Sequence, residues 1–528
     1  MTLLSAIAPV EETGIDKYLA AQADLTAVER FSQRHESASA PVQARYYRDL
    51  IPLAEPEPGE QYGFEVDLDA CTGCKACVAA CHSLNGLDDG ESWRSVTLLV
   101  GGSPAEPFQQ TVTSACHHCV DPACLNGCPV DAYEKDPITG IVSHLDDQCI
   151  GCGYCTLTCP YEVPVFSHDR GIVRKCDMCK GRLAAGEAPA CVQACPNEAI
   201  AIKVVDLADA RLLSTVGSLV PGSPPSSITV PTTSYISARG RVHNLPTAAP
   251  SGVGPAHAHP PLAIMLILTQ LSVGAFVIDL LVRLIASPGA GLSQTADAFV
   301  AAMTGVLALG ASVFHLGRPR YFYRAVIGFG HSWLSREVVA FGAFTGLAGP
   351  YALLLWLSPN GSAASIDALG AGVACVGVAG VACSVLIYTS THRASWHPAI
   401  VGAKFALTAV VGGLAAVTWA SLVAAVLTGA SKISGAAFLL ILMAIVTTVK
   451  LGGEAVWMRR PHPDLQMTVV RRYAFGTGGG VVLPVLLAAT MGSPNWLGVA
   501  VATVAIIFLV AGEYLERSLF FTTASPPR

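Results

Sequence analysis

The sequence predicts two halves of different fold class: a small α+β domain organised around cysteine motifs, then an all-α polytopic membrane domain of eight transmembrane helices. Three observations carry this. Sixteen of the 18 cysteines fall between Cys71 and Cys195. Hydrophobic residues make up 52% of the 528 and charged residues only 13%, about half the usual globular share. From residue 260 onward, apolar segments follow one another at bilayer-crossing length, for which about 20 residues are needed.

The sequence divides by composition into four parts. Residues 1–60 form a polar N-terminal extension, with a helix-like stretch "DLTAVERFSQRHE" and then "PLAEPEPGEQ". Residues 61–205 hold the cysteine motifs among short strand-like pieces such as "YGFEVDL" and "GIVSHL". Residues 206–259 are rich in Pro, Ser, Thr and Gly, the composition of a linker or a surface-hugging extension. Residues 260–528 form the membrane anchor domain, with apolar runs at 261–286, 294–314, 337–357, 366–389, 400–428, 434–453, 474–492 and 495–515. Glycine-rich pieces within them, "GVACVGVAGVAC" and "GTGGGVV", permit close helix packing in lipid.

The net charge of −6 gives no reason to expect a nucleic-acid partner. The opening "MTLLSAIAPVEETGID" has no basic region followed by an apolar one, and no twin-arginine pair. The cysteines are therefore expected to be reduced metal ligands rather than disulfides. Loop charge gives an expected orientation. Arg318, Arg320, Arg324, Arg336, Arg393, Lys404, Arg459, Arg460, Arg471, Arg472, Arg517 and Arg528 all fall on the side of the amino-terminal domain, and the other side offers little beyond Arg283 and Lys432. The positive-inside rule then places the cysteine domain and both termini in the cytoplasm, with the anchor in the inner membrane.

The motifs are Cys71-x2-Cys74-x2-Cys77-x3-Cys81, Cys116-x2-Cys119-x4-Cys124-x3-Cys128, Cys149-x2-Cys152-x2-Cys155-x3-Cys159 and Cys176-x2-Cys179-x11-Cys191-x3-Cys195. The first and third have the bacterial ferredoxin spacing, in which three close thiolates hold three corners of a cubane and the fourth serves a partner cluster. Four such motifs make four [4Fe–4S] clusters in a double ferredoxin-like domain. Structural zinc also takes Cys-x2-Cys pairs, but one zinc ion needs two pairs, not four runs of four. Three of the runs end in Cys-Pro, at Cys128, Cys159 and Cys195, whereas His82 follows Cys81. His82, His117 and His118 lie beside ligands and are expected in supporting or surface roles. Spacing leaves three ways of pairing the motifs.

"YGFEVDLDACTGCKACVAAC", "CHHCVDPACLNGCP", "DDQCIGCGYCTLTCPYEVP" and "VRKCDMCKGRLAAGEAPACVQACP" resemble the four-cluster iron–sulfur subunit of the dimethyl sulfoxide reductase family of molybdoenzymes. The resemblance implies that the first motif pairs with the fourth and the second with the third. One cluster would use Cys71, Cys74, Cys77 and Cys195, and another Cys176, Cys179, Cys191 and Cys81. The inner two would use Cys116, Cys119, Cys124 and Cys159, and Cys149, Cys152, Cys155 and Cys128.

The membrane half resembles the anchor subunit of the same family at "PLAIMLILTQLSVGAF", "FHLGRPRYFYRAVIGFGHSWLSREVVAF" and "GEYLERSLFF". Two chains that are separate in the best-known relatives are thus fused here. The resemblance implies a quinone/quinol site (menaquinol or ubiquinol) at His315 and Glu337, and a molybdopterin-containing catalytic subunit as partner. Ionisable groups at membrane helix ends suit the proton side of quinol chemistry. The plainer reading makes His315 an interfacial anchor and pairs Glu337 with Arg336 or Arg318. Loop 318–336 reads as a topology signal and as a docking surface for the cysteine domain. Local i,i+4 pairs are expected for Asp279 with Arg283 and for Glu513 with Arg517. Cys375 and Cys383 read as packing residues, and no haem is expected. The sequence therefore reads as an electron-transfer protein between the quinone pool and another chain. The alternative is a self-contained ferredoxin:quinone oxidoreductase, and two further readings are a tethering scaffold and an ion pump. A pump needs buried ionisable residues through the bilayer, and the apolar runs show few.

Overall fold

The computed structural model describes residues 13–24, 26–37, 46–52, 54–102, 105, 107–238, 259–285, 294–357, 363–431, 433, 435–457, 463–490 and 492–524. Arg459, Arg460, His462, Lys432, Arg528 and most of the second half of the expected 206–259 linker lie outside the described residues.

Among the described residues of the amino-terminal half, nine short strands bracket the cysteine motifs: β1 Glu60–Asp67, β2 Ser95–Gly102, β3 Pro107–Ser114, β4 Tyr133–Lys135, β5 Val142–His144, β6 Val165–Ser167, β7 Ile172–Arg174, β8 Ile200–Asp206 and β9 Ser234–Ile236. β1 precedes the first motif and β8 follows the fourth. They pair antiparallel, with Phe64 opposite Ile202 and Val66 opposite Ile200. All four side chains are buried, so the apolar pattern fixes the register. Between these strands lie the hairpins β2–β3, β4–β5 and β6–β7. The arrangement is nested: β1–β8 ties the ends of the domain, and β4–β5 closes the segment between the second and third motifs.

The described part of the Pro/Ser-rich extension packs on this domain. β9 adds a parallel strand to β1, and the Thr232 hydroxyl donates to the His117 carbonyl (3.0 Å). The expected helix in the amino-terminal extension is present at Ala27–Ser37.

Among the described residues the carboxy-terminal half is helical, with eight helices long and apolar enough to cross a bilayer: Pro260–Leu284, Thr295–Val313, Trp333–Leu357, Ser365–Thr389, Pro398–Thr428, Ala436–Trp457, Pro463–Thr490 and Trp496–Thr522. They are called the first to eighth spans below. The protein is a multi-pass membrane protein. The first and fifth spans meet so closely that a Cβ on Gly274 would lie 1.8 Å from the Ala409 carbonyl oxygen. The seventh span carries a π-helical turn at Gly478–Val482, where Gly479 and Gly480 sit against the eighth and sixth spans.

The seventh and eighth spans run further into charged sequence than the apolar runs suggest. The seventh begins at Pro463 rather than at the expected 474, and the eighth continues to Thr522. Arg472 and Arg517, read above as loop charges, therefore lie inside helices and are fully buried. Lys404 likewise lies inside the fifth span, largely buried.

Candidate functional site

Each motif begins with a tight backbone curl. The residue two after the first cysteine has a left-handed conformation in all four: Gly73 (φ 74°), His118 (φ 40°), Gly151 (φ 70°) and Met178 (φ 58°). A left-handed non-glycine residue costs about 1–2 kcal/mol, so something must hold His118 and Met178 there. For Met178, the curl turns its own amide onto the Cys176 sulfur (3.4 Å). The Gly151 amide reaches Cys149 in the same way (3.4 Å). For His118, the imidazole Nδ1 accepts from the Val142 amide (3.0 Å).

A second curl follows the three Cys-Pro steps. Asp131, Glu162 and Glu198, each three residues beyond the last cysteine, are left-handed (φ 53–54°). Behind them the amides of Ala132 and Ala199 donate to Cys128 and Cys195 (both 3.3 Å). The first motif departs from this pattern. Cys81 lies inside the helix Ala76–Asn85, which continues where the other motifs have proline.

The nested strands gather the thiols into four sets. Cys71, Cys74, Cys77 and Cys195 line one cavity. Cys81 stands within electrostatic reach of Cys176, Cys179 and Cys191, and Cys191 within reach of Cys176 and Cys179, with Cys116 of the neighbouring set also close to Cys176. Cys116, Cys119, Cys124 and Cys159 line a second cavity. Cys128, Cys149, Cys152 and Cys155 form the remaining set. The thiols ring these spaces rather than converging on a point: among the described residues, no group of three or more His, Cys, Asp or Glu side chains forms a single-ion site. Rings of four thiols with amides aimed at sulfur suit a cubane cluster, which takes one ligand per corner and carries negative charge. Burial pushes the free Cys81 thiol up to about 12 and Cys128 to about 11, so metal binding there releases protons.

Two buried cations stand among the thiols. Lys175 reaches Cys116 (3.6 Å) and the Cys176 carbonyl (2.8 Å). Arg94 donates to Thr113 (3.2 Å) within reach of Cys77, Cys176 and Cys191. Neither is signalled by sequence, since one basic residue carries no pattern. His117, His118 and His82 hold protein rather than sulfur, whereas His144 hydrogen-bonds the Cys149 thiol. His117 pairs with the Thr233 hydroxyl (2.8 Å), and burial together with Arg94 pushes its imidazole down to about 3. His82 meets the Asp88 carbonyl (3.2 Å).

The Cys128/Cys149/Cys152/Cys155 set is pressed against the membrane half. Leu316, Ala325 and Val338 pack into the apolar cluster around Cys128, Cys149 and Cys155. Trp333 and Leu334 pack with Tyr154 beside Cys152. The Gly317 amide donates to the Gly151 carbonyl (3.1 Å) and the Arg318 amide to that of Ile150 (3.0 Å). The Arg318 and Arg324 guanidiniums donate to the Asp146 and Asp147 carbonyls (2.7 and 2.8 Å). Loop 318–336 is thus a docking surface. Tyr154 reaches furthest, donating to the Ile387 carbonyl (2.7 Å).

His315 and Glu337 are sequence neighbours of Leu316 and Val338. Burial lowers the basicity of His315, and its Nδ1 has no hydrogen-bond partner among the described residues. Glu337, four residues into the third span, is 3% exposed. Its carboxylate accepts from Ser384 and lies within electrostatic reach of Tyr154, Cys383 and Tyr388. Neither Arg336 nor Arg318 pairs with it: Arg336 donates to the Phe329 and Gly330 carbonyls. Among the described residues Glu337 has no ion-pair partner.

The membrane interior also departs from expectation. Asp279 and Arg283 do pair (2.8 Å). Glu513 and Arg517 do not: Glu513 binds Lys450 and Arg472 from the sixth and seventh spans, and Arg517 binds Glu516 and Gln270. The i,i+4 reading fails because cations from other helices reach Glu513 first. The buried network of Lys404, Lys450, Glu454, Arg472, Glu513, Glu516 and Arg517 is not visible in the apolar runs.

Four thiol rings on a small strand-braced domain, seated on an eight-helix membrane half, define an iron–sulfur electron-transfer subunit that carries its own membrane anchor. Comparison with known proteins gives the family. Residues 255–523 match the DMSO reductase anchor subunit (DmsC) family and residues 108–205 the 4Fe-4S dicluster domain. The protein belongs to the dimethyl sulfoxide reductase family, with an iron–sulfur subunit and an anchor subunit joined in one polypeptide. It is 36% identical over 181 residues to the iron–sulfur subunit of the anaerobic dimethyl sulfoxide reductase of Haemophilus influenzae, covering 33% of this protein and 87% of that one. To the corresponding subunit of the Escherichia coli enzyme it is 38% identical over 154 residues, covering 28% and 75%. The hydrogenase-2 operon protein HybA of Escherichia coli is 36% identical over 171 residues, covering 28% and 52%.

Proposed function

We propose that this protein passes electrons between the quinone/quinol pool and a separate molybdopterin oxidoreductase, through four [4Fe–4S] clusters held by the sixteen motif cysteines in the four sets above. Residues 61–205 hold the relay and 260–528 the anchor. The observation that carries the reading is the seating of the Cys128/Cys149/Cys152/Cys155 set on Leu316 and Val338, the sequence neighbours of His315 and Glu337. When bound, the clusters supply one-electron carriers in series. The protein's own residues do the rest. His315 and Glu337 take the two quinol protons, and the apolar wall of Leu316, Val338, Trp333 and Leu334 excludes water between the quinol and the nearest thiol set.

The partner belongs to this proposal because the relatives are named as subunits of dimethyl sulfoxide reductases. Orientation belongs to it too. Arg318, Arg320, Arg324 and Arg393 lie between spans on the face that carries the cysteine domain. This supports a cytoplasmic relay in the inner membrane, even with Lys404, Arg472 and Arg517 removed from the count. Quinol protons would then be released on the side where reduction consumes them.

The test is iron analysis and spectroscopy on the purified protein, with quinol added as reductant. Expected are about sixteen irons per molecule, cluster reduction by quinol, and loss of that reduction in Glu337→Gln. A co-purifying molybdenum-containing subunit supports the partner. Its absence, with quinol reactivity intact, favours the self-contained ferredoxin:quinone oxidoreductase. Iron well below sixteen refutes the four-cluster relay.

A further inference from the structure

The thiol array has two halves. The first and fourth motifs hold two of the sets, and the second and third motifs hold the other two. An electron that travels the whole array must cross from one half to the other, and the Lys175 side chain spans that crossing. It donates to the Cys116 sulfur of the second motif (3.6 Å) and to the Cys176 carbonyl of the fourth (2.8 Å). Its third acceptor is the Val142 carbonyl in β5. The Val142 amide in turn donates to His118 (3.0 Å), so the hairpin that steadies Lys175 also steadies the curl of the second motif.

Three acceptors take the three protons of Lys175, which is therefore held as an ammonium. Lys175 is 2% exposed, and among the described residues no carboxylate pairs with it. A buried charge needs compensation. Here the compensation on offer is the negative charge of the thiolate sets that it touches. Arg94 is the other buried cation of the array, but it reaches a sulfur only through the Thr113 hydroxyl, at 3.2 Å and then 3.6 Å to Cys77. Among the described residues Lys175 is the one lysine or arginine that donates directly to a motif sulfur.

We propose that the positive charge of Lys175 raises the reduction potential of both the Cys116/Cys119/Cys124/Cys159 set and the Cys81/Cys176/Cys179/Cys191 set, and so joins them as the central pair of the relay. The inference rests on the four-cluster reading proposed above. In the step concerned, one electron leaves one set and arrives on the other. The first is oxidised and the second reduced, no bond forms or breaks, and Lys175 keeps its three protons. Because its charge touches both sets, it stabilises the electron at either end and favours neither direction. Lys175 acts through Cys116 and Cys176; it is a positioning residue, not a carrier. Unit charges 4 Å apart at an effective dielectric constant of about 20 shift an equilibrium about a thousandfold. Charge spread over a cluster and its ligands dilutes this, so the expected shift is about tenfold or more per set, which is about 59 mV or more for one electron.

The test is redox potentiometry of the full-length protein in detergent, followed by electron paramagnetic resonance. Lys175→Met removes the charge and keeps a long side chain. It should retain about sixteen irons and move two of the four one-electron steps down by about 59 mV or more, with smaller shifts in the other two. One of the moved steps should be the step that Cys81→Ser removes. Lys175→Arg, which keeps the charge, should hold both near their wild-type potentials. Full iron with no step moved, with one moved alone, or with all four moved alike overturns the inference and leaves the four-cluster reading standing. Wild-type iron well below sixteen overturns that reading itself. Should Lys175→Met lose iron, Lys175→Arg decides: full iron at wild-type potentials supports a need for charge, whereas loss of iron in both variants marks a packing role and overturns the inference.

Discussion

Adding one methyl group at Gly317 should loosen the seating of the two halves on each other without separating them or unfolding either. A Cβ at this position would lie 2.1 Å from the Gly171 carbonyl oxygen and 2.6 Å from its carbon. Relaxed contact needs about 3.5 Å, so the backbones must part by about 1.4 Å. Gly171 and Gly317 are both backbone at the contact, and neither can swing aside as a side chain would. The separation strains two hydrogen bonds, from the Gly317 amide to Gly151 (3.1 Å) and from the Arg318 amide to Ile150 (3.0 Å). At about 1 kcal/mol each, with about 1–3 kcal/mol for overpacking, Gly317→Ala should weaken the junction by about 3–5 kcal/mol. The displaced loop also carries Leu316 away from Cys149 and Cys155. Stopped-flow reduction should therefore show slowed electron entry from quinol, with normal iron content and normal reduction by dithionite. A Gly317→Ala protein with wild-type quinol kinetics would refute the view that this glycine contact sets the approach of the two halves.

Three further outcomes follow from the same geometry. On the four-cluster relay proposed above, Cys81→Ser should damage the cluster assigned to Cys176, Cys179 and Cys191 first, lowering iron from about sixteen to about twelve per molecule; magnetic resonance spectra showing primary loss at Cys71, Cys74 and Cys77 would break the pairing. Tyr154→Phe removes the 2.7 Å bond to Ile387, so the junction should lose about 1 kcal/mol, read as a lower unfolding temperature. Glu454→Ala removes the two bonds by which Glu454 holds Arg472, at 2.8 and 2.9 Å, and leaves Arg472 paired with Glu513 (3.0 Å), so it should cost about 1.5–3 kcal/mol; a thermal melt of the detergent-solubilised protein within a degree of wild type would show the pair to be dispensable.

The two-part fold and the four cysteine motifs were legible because both are written locally. A span needs a run of apolar residues, and a cluster corner needs cysteines two or three apart. The αL curls were half legible: Gly73 and Gly151 announce them, but His118 and Met178 adopt the same conformation without glycine. The gathering of the motifs was not legible from spacing, since it depends on β1 meeting β8 across more than a hundred residues. The resemblance to a known family, not the spacing, supplied that expectation. The buried network escaped for a related reason. Hydropathy windows trim a helix at its charged end, so Arg472 and Arg517 read as loop. The i,i+4 rule sees one helix at a time, whereas Glu513 is satisfied by Lys450 and Arg472 from two others. Lys175 and Arg94 are invisible in sequence because a lone cation gains its meaning from thiols brought to it by the fold.

Covalent fusion changes what the junction between the halves must do. Its hydrogen bonds run mostly to main-chain carbonyls, at Gly127, Pro129, Asp146, Asp147 and Leu157. Such acceptors are tied to backbone curvature rather than to side-chain identity, so they place the Cys149 loop without great strength. Two separate subunits would have to offset about 4–15 kcal/mol of lost translational and rotational freedom before any of these bonds showed as affinity. A polypeptide that continues through residues 206–259 makes the encounter intramolecular and raises the effective concentration. The junction is then free to be selected for position alone. Variants at Gly317, at Ser332, whose hydroxyl donates to the Gly127 carbonyl (2.7 Å), or at Tyr154 should for that reason act on the rate of electron entry rather than on whether the halves stay together, which is the opposite of what the same changes would do between separate subunits.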